Sequence, residues 1–213
     1  MKVAVIAGTL VDTKMGVDFL KEYGLDAGFF PISKNPKEQS TLQILSQQQL
    51  QDIVQNMVRK IKEQGYEKII IYCNSLSCAI DMNYIQNEEN IRMITPLEVY
   101  KEIAVKYKNI AVIAANNQSC AGIENSIQKK NIECNIIGLG NLKLVEAIEE
   151  KRSPQKLIED FKLDQLLDYF RSVEAEALIL GCTHFSYLKE SLEELQKIHI
   201  IDPSYRMYEI LNQ

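Results

Sequence analysis

Two short aliphatic runs, each stopped by a cysteine, constrain this chain more than any other feature. Ile69 to Ser77 reads IIIYCNSLS and Leu178 to Ser186 reads LILGCTHFS, which sets Cys73 and Cys182 109 positions apart in near-matching contexts. Aliphatic runs bounded by turn-forming residues are the signature of strands buried on both faces, the kind found in parallel sheets covered by helices. Each run leads into small polar residues that can open a helix. Ligands of such sheets collect at the carboxyl ends of the strands. Both thiols are therefore expected on the functional edge, not in the core.

Further strand candidates recur at Val3 to Ala7, Lys68 to Tyr72, Ile110 to Ala114, Cys134 to Ile137, Ala177 to Leu180 and Ile198 to Ile201, with a weaker one at Gly28 to Ile32. Helical patterns separate them. Leu42, Leu45, Ile53, Met57 and Ile61 recur at mostly helical steps and predict one amphipathic helix from about Lys37 to Gln64. Pro96, after Met93–Ile94, suits the first turn of a helix, and Pro154 suits the start of one running toward Val173. Alternating strands and helices predict an α/β protein with mainly parallel sheets. The two cysteine strands fall one in each half. The expected division is into two similar lobes, residues 1–95 with 198–213 carrying Cys73 and residues 96–197 carrying Cys182, with a site in the cleft between them.

At 213 residues the chain has ample material for a core, and 46% hydrophobic with 25% charged residues is ordinary for a globular protein. A net charge of −5 with no basic block argues against a nucleic-acid partner. The first residues, MKVAVIAGT, read as a strand and not as a signal peptide, and no apolar run is long enough to span a bilayer. The expectation is a cytoplasmic protein with no membrane partner. Five cysteines, an odd number, in a chain of this size argue for reduced thiols.

A thiol serves as a base when its pKa approaches neutrality, and a helix N-terminus or a nearby cation brings that about. Two such thiols in opposed pockets can invert a carbon acid: one removes a proton and the other returns one to the opposite face. At this point the residues resemble the cofactor-independent aspartate/glutamate racemases. That family's motifs, Cys-Asn-Thr/Ser after one strand and Gly-Cys-Thr-His/Glu after another, stand here as Cys73–Asn74–Ser75 and Gly181–Cys182–Thr183–His184. The resemblance covers nearly the whole chain, including Ile201–Asp202 near the end. It implies two lobes, no cofactor and no metal. Cys73 and Cys182 would be the acid/base residues with His184 assisting Cys182, and Asn74, Ser75 and Thr183 would hold the substrate. It also implies an acidic amino acid, aspartate or glutamate, as the small-molecule partner, and a homodimer.

The chain departs from the family pattern in two places. Ala7–Gly8 stands where many glutamate racemases carry Asp-Ser, with Thr9, Asp12 and Thr13 nearby as substitutes. Ala115–Asn116–Asn117–Gln118 stands where a Thr-x-x-Thr pattern binds the substrate carboxylate. Asp12 reads equally well as the cap of a helix beginning near Thr13, and Asn116, Asn117 and Gln118 as a turn that starts a helix. Pro31–Ile32–Ser33, with Pro36 and Gln39, reads as a substrate-facing loop. Cys78, Cys120 and Cys134 read as small buried hydrophobes, Tyr72 and Tyr84 as packing residues, and His199 as a structural residue inside an apolar strand. A zinc site from Cys73, Cys78, Cys182 and His184 lacks Cys-x-x-Cys spacing. A phosphatase loop lacks its arginine, since Ala79 holds that position. Isomerisation or racemisation of another small carbon acid, of hydantoin or maleate type, and a non-catalytic small-molecule binding protein on the same scaffold are the alternative readings.

Overall fold

The computed structural model describes residues 2–42 and 44–213. The side chains of Pro36, Gln39 and Ser40 lie outside the described set, and with them the loop contacts expected of Pro36 and Gln39. The chain forms two compact units, Met1–Glu98 with Ser204–Gln213, and Val99–Pro203.

In the first unit the order is β1 (Val3–Ala7), α1 (Leu10–Glu22), β2 (Ala27–Pro31), α2 (Pro36–Leu42), α3 (Gln47–Glu63), β3 (Lys68–Ile71), α4 (Asn74–Ala79), α5 (Met82–Glu89) and β4 (Arg92–Ile94). The helix α6 (Pro96–Ile103) runs across the division. The second unit continues with β5 (Asn109–Ala114), α7 (Asn117–Gln128), β6 (Asn135–Gly140), α8 (Leu142–Glu149), α9 (Pro154–Asp160), α10 (Leu163–Ser172) and β7 (Ala177–Gly181). A 3-10 helix (Thr183–Leu188), α11 (Lys189–Glu194) and β8 (His199–Ile201) complete it, and α12 (Pro203–Leu211) returns to the first unit.

Each unit holds one four-stranded sheet, ordered β2-β1-β3-β4 and β6-β5-β7-β8, with every pairing parallel. The inner strands β1 and β7 are buried at every residue, while the edge strands β2 and β6 are only partly covered. That difference explains why the inner strands read clearly in the sequence and β2 did not. Around β5 and β7, Leu167, Phe170, Phe185, Leu188 and Leu192 fill the core of the second unit.

Matching glutamates set the register of the two inner pairs. In the first sheet Glu67 accepts from the Lys2 N–H at 3.0 Å and donates its own N–H to the Lys2 carbonyl at 2.8 Å. In the second, Glu176 accepts from the N–H groups of Lys108 (2.5 Å) and Asn109 (3.0 Å) and donates to the Asn109 carbonyl at 2.9 Å. Both contacts sit where the strand pair begins.

Three expectations are corrected. The single helix from Lys37 to Gln64 is two helices. Ser46 and Gln49 form a capping box, with the Ser46 hydroxyl accepting from the Gln49 N–H at 3.3 Å and the Gln49 side chain accepting from the Ser46 N–H at 3.0 Å, so α3 starts afresh there. The helix after Pro154 is likewise broken: Lys162 adopts a left-handed backbone (φ 53°), which no α-helix carries through, and α10 restarts beyond it. The last strand was expected in the first lobe, but β8 pairs with β7 in the second sheet, and only α12 crosses back. Among the described residues no helix is long and apolar enough to cross a membrane.

The Asn109 N–H, and after it that of Lys108, holds the Glu176 carboxyl below its ordinary range. The folded state prefers the ionised form, so this contribution is present above the ordinary glutamate range and is lost as pH falls through the depressed value. Urea unfolding of Glu176→Gln should therefore lose less stability than the parent between about pH 5 and about pH 3. Equal acid slopes for the two proteins would show that the contact contributes nothing.

Candidate active site

In the first unit, β3 ends at Ile71 and Tyr72 still pairs with the neighbouring strand, its N–H donating to the Ile6 carbonyl at 2.7 Å. Cys73 then takes the N-cap position of α4 with an extended backbone, and is 3% exposed. Its Sγ lies 3.3 Å from the Ser75 hydroxyl. The Ser77 hydroxyl donates to the Cys73 carbonyl at 2.8 Å and closes the first turn. Asn74 is buried and Ser75 half-buried. Gly8 and Ser75 line one small cavity together with Ile32, Leu42, Leu50, Leu76 and Ala79, so the turns after β1 and β3 share a wall.

The turn after β1 is closed by its own side chains. Thr9 is the N-cap of α1 and Asp12 the third residue of a capping box. Asp12 accepts from the N–H groups of Thr9 (2.6 Å) and Gly8 (3.2 Å) and from the Thr9 hydroxyl (3.0 Å). The Thr13 hydroxyl donates to the Thr9 carbonyl at 2.5 Å. Thr9, Asp12 and Thr13 are all buried. Ser33, from the loop expected to face substrate, is also turned inward: its N–H and hydroxyl both donate to the Gly8 carbonyl, at 2.9 and 2.5 Å. Asp12 thus caps α1 from inside a helix that starts earlier than the sequence implied.

In the second unit, β7 ends at Gly181 and Cys182 caps the 3-10 helix with the same extended backbone. It is 8% exposed, and Thr183 and His184 are buried beside it. Cys182 Sγ lies 3.6 Å from His184 Nδ1, and His184 Nε2 lies 2.9 Å from Glu149 Oε1, at the last residue of α8. A carboxylate only accepts, so Nε2 carries the hydrogen of that bond. In the neutral ring this leaves the Nδ1 lone pair on the side of the thiol, where it can accept the S–H.

Reasoning from sequence missed Glu149, which lies 35 positions from His184. Its one signal was an acidic residue in the last turn of a helix, against the helix dipole.

The turn after β5 carries the amides expected to contact substrate. Asn116 is the N-cap of α7, and its Oδ1 accepts from the Ser119 N–H (2.8 Å) and hydroxyl (3.0 Å). Asn117 Oδ1 accepts from the Gly140 N–H at 3.1 Å. Gly140 must be glycine: a Cβ there would come within 2.3 Å of the Asn116 carbonyl carbon. Gln118 is exposed. Thr9, Asp12, Cys73, Asn74 and Ser75 therefore gather at the carboxyl ends of paired strands β1 and β3, and Asn116–Gln118 with Cys182–His184 at those of β5 and β7.

The other cysteines lie apart from these turns in chemistry. Burial pushes the Cys120 thiol up to about 11 and raises that of Cys134, while Cys78 is half-buried in α4. His199, expected within an apolar strand, is exposed, with its ring stacked on Tyr107 at 6.3 Å.

Comparison with known proteins gives the site its context. The Asp/Glu/Hydantoin racemase family profile matches residues 26–204. The chain belongs to that family. Glutamate racemase of Limosilactobacillus reuteri is 27% identical over 185 residues, covering 84% of this chain and 65% of that protein. Glutamate racemase of Fusobacterium nucleatum is 28% identical over 193 residues, covering 88% and 67%. This racemase-family chain thus spans about two thirds of the length of these relatives. Among solved structures, glutamate racemase of Francisella tularensis, in complex with D-glutamate, superposes with a TM-score of 0.75 at 21% identity, covering 99% of this chain and 79% of that one. At that identity the likeness concerns the fold.

Within the family scaffold, then, Asp12 has a structural task. Asp12→Ala should lower the unfolding free energy by about 2 kcal/mol, since it strips buried N–H groups of a charged acceptor. Chemical denaturation reads this directly. An unchanged midpoint would return Asp12 to the pool of candidate substrate contacts.

Proposed function

We propose that the protein is a cofactor-independent amino-acid racemase acting on aspartate or glutamate, with Cys73 and Cys182 serving opposite faces of one substrate carbon. The observation that carries this reading is the repeated placement of a buried thiol just past an inner strand, once in each of two equivalent sheets. The family match and the glutamate racemase relatives support it.

In this reading one thiolate takes the α-proton: an S–H bond forms as the C–H bond breaks, and the electron pair stays on the carbon beside the carboxylate. The opposite thiol then gives its proton to the other face and is left as thiolate. Nothing is oxidised or reduced, and the two thiols end with exchanged protonation states. His184 shuttles the Cys182 proton, and Glu149 holds the imidazole in the required tautomer. Asn74, Ser75 and Thr183, buried or half-buried beside the thiols, fit the contacts to the substrate's carboxylate and amino groups.

The amides at Asn116 and Asn117 and the pair Ala7–Gly8 favour keeping a second substrate class in the test, a small carbon acid of hydantoin or maleate type.

The test is NMR in deuterium oxide with L- and D-glutamate, L- and D-aspartate and a hydantoin. Loss of the α-proton signal of glutamate or aspartate, abolished in Cys73→Ala and Cys182→Ala, is the expected result. Silence on the amino acids with exchange on the hydantoin would replace the substrate, and silence on all would end the racemase reading. Glu149→Gln should lower kcat about tenfold with little change in KM. A parent-like kcat would remove Glu149 from the relay.

A further inference from the structure

Tyr72, the residue immediately before Cys73, is held from three sides. Its backbone N–H is tied to β1 through the Ile6 carbonyl. Its ring lies beneath α1 so closely that a Cβ on Gly16 would fall 2.8 Å from the ring Cγ and 2.9 Å from Cδ1, and Phe19 stacks on it at 6.4 Å. Its phenol oxygen lies 2.9 Å from the Ser204 hydroxyl, in the first turn of α12. Both residues are 4% exposed. A phenylalanine with an alanine opposite it would fill much the same space without bringing two hydroxyls into the core, and buried hydroxyls cost stability unless their bond is made. What the pair adds over apolar packing is direction: it fixes the ring along its long axis.

We propose that Tyr72 and Ser204 are positioning residues for the Cys73 thiol. This rests on the reading of Cys73 as a proton carrier. Neighbouring residues at a strand end share a peptide plane, so a tilt of Tyr72 swings the Cys73 Cα–Cβ bond and moves Sγ relative to any bound carbon. The Sγ–Ser75 contact moves with it. Because α12 follows the second unit in the chain, the anchor for this strand end is supplied by the returning C-terminal segment.

The experiment compares Tyr72→Phe, Ser204→Ala and Ser204→Thr with the parent by two readouts. The first is steady-state racemisation, and the second is peptide-resolved alkylation of Cys73 and Cys182 by iodoacetamide at one pH. Tyr72→Phe and Ser204→Ala should each lower kcat about tenfold with KM within about twofold, because sub-ångström displacement of a reacting group acts on the chemical step. Cys73 should alkylate several-fold faster in both while Cys182 keeps its parent rate, and Ser204→Thr, which keeps the hydroxyl, should restore both readouts. Parent-like kcat and parent-like Cys73 alkylation in the two deletion variants would overturn the proposal. So would equal acceleration at Cys73 and Cys182, which marks general loosening. A parent protein that exchanges no α-proton fails the racemase reading instead, and the alkylation comparison still decides whether Tyr72 and Ser204 control Cys73.

Discussion

Strands that are hydrophobic on both faces leave polar chemistry nowhere to go but their ends. In β1, β5 and β7 almost every side chain is withdrawn from solvent, and a buried polar group without partners would cost more than the fold can spare. The first residues past the carboxyl ends of the inner strands escape this constraint. They are fixed by the sheet behind them and open to the helix ahead of them. Cys73 and Cys182 occupy that position, each with an extended backbone that turns directly into a helix. The placement of the thiols is thus a consequence of sheet burial.

The two units solve the same problem with the same parts and then diverge at the reactive end. Strand order is identical, and a glutamate just before the third strand of each sheet clamps the N–H groups of its neighbour. Past the cysteines the equivalence stops. Cys73 is followed by Asn74 and Ser75 and opens a short α-helix, whereas Cys182 is followed by Thr183 and His184 and opens a 3-10 helix. The tighter turn brings His184 Nδ1 back toward its own cysteine while Nε2 reaches α8. The two thiols thus sit in protein environments of different composition.

Apart from β4, a three-residue edge strand that was not read as one, the strands, their order along the chain and the two cysteine turns were legible because they rest on local signals: aliphatic runs, turn residues and a polar residue at a helix start. What escaped rests on separation in sequence or on backbone angles. The His184–Glu149 and Tyr72–Ser204 contacts join residues 35 and 132 positions apart, and nothing local marks them. The left-handed Lys162 breaks a helix whose hydrophobic periodicity runs on undisturbed. Ser46–Gln49 was a readable start signal, but an amphipathic pattern spanning both helices masked it. The final strand went to the wrong sheet because a three-residue strand carries too little pattern to choose between two similar partners.

Capping also decides what the polar turn residues have left to give a ligand. A hydroxyl both donates and accepts, so a threonine in the turn after β5 can cap a helix and still donate outward. An amide divides those functions between two atoms. The oxygens of Asn116 and Asn117 accept from the N–H groups of Ser119 and Gly140, so both amides help to build the turn after β5. In the same way Asp12 serves the turn after β1, where it accepts from the N–H groups of Gly8 and Thr9 and from the Thr9 hydroxyl. Polar residues at these strand ends are thus committed first to building the turns that carry the thiols.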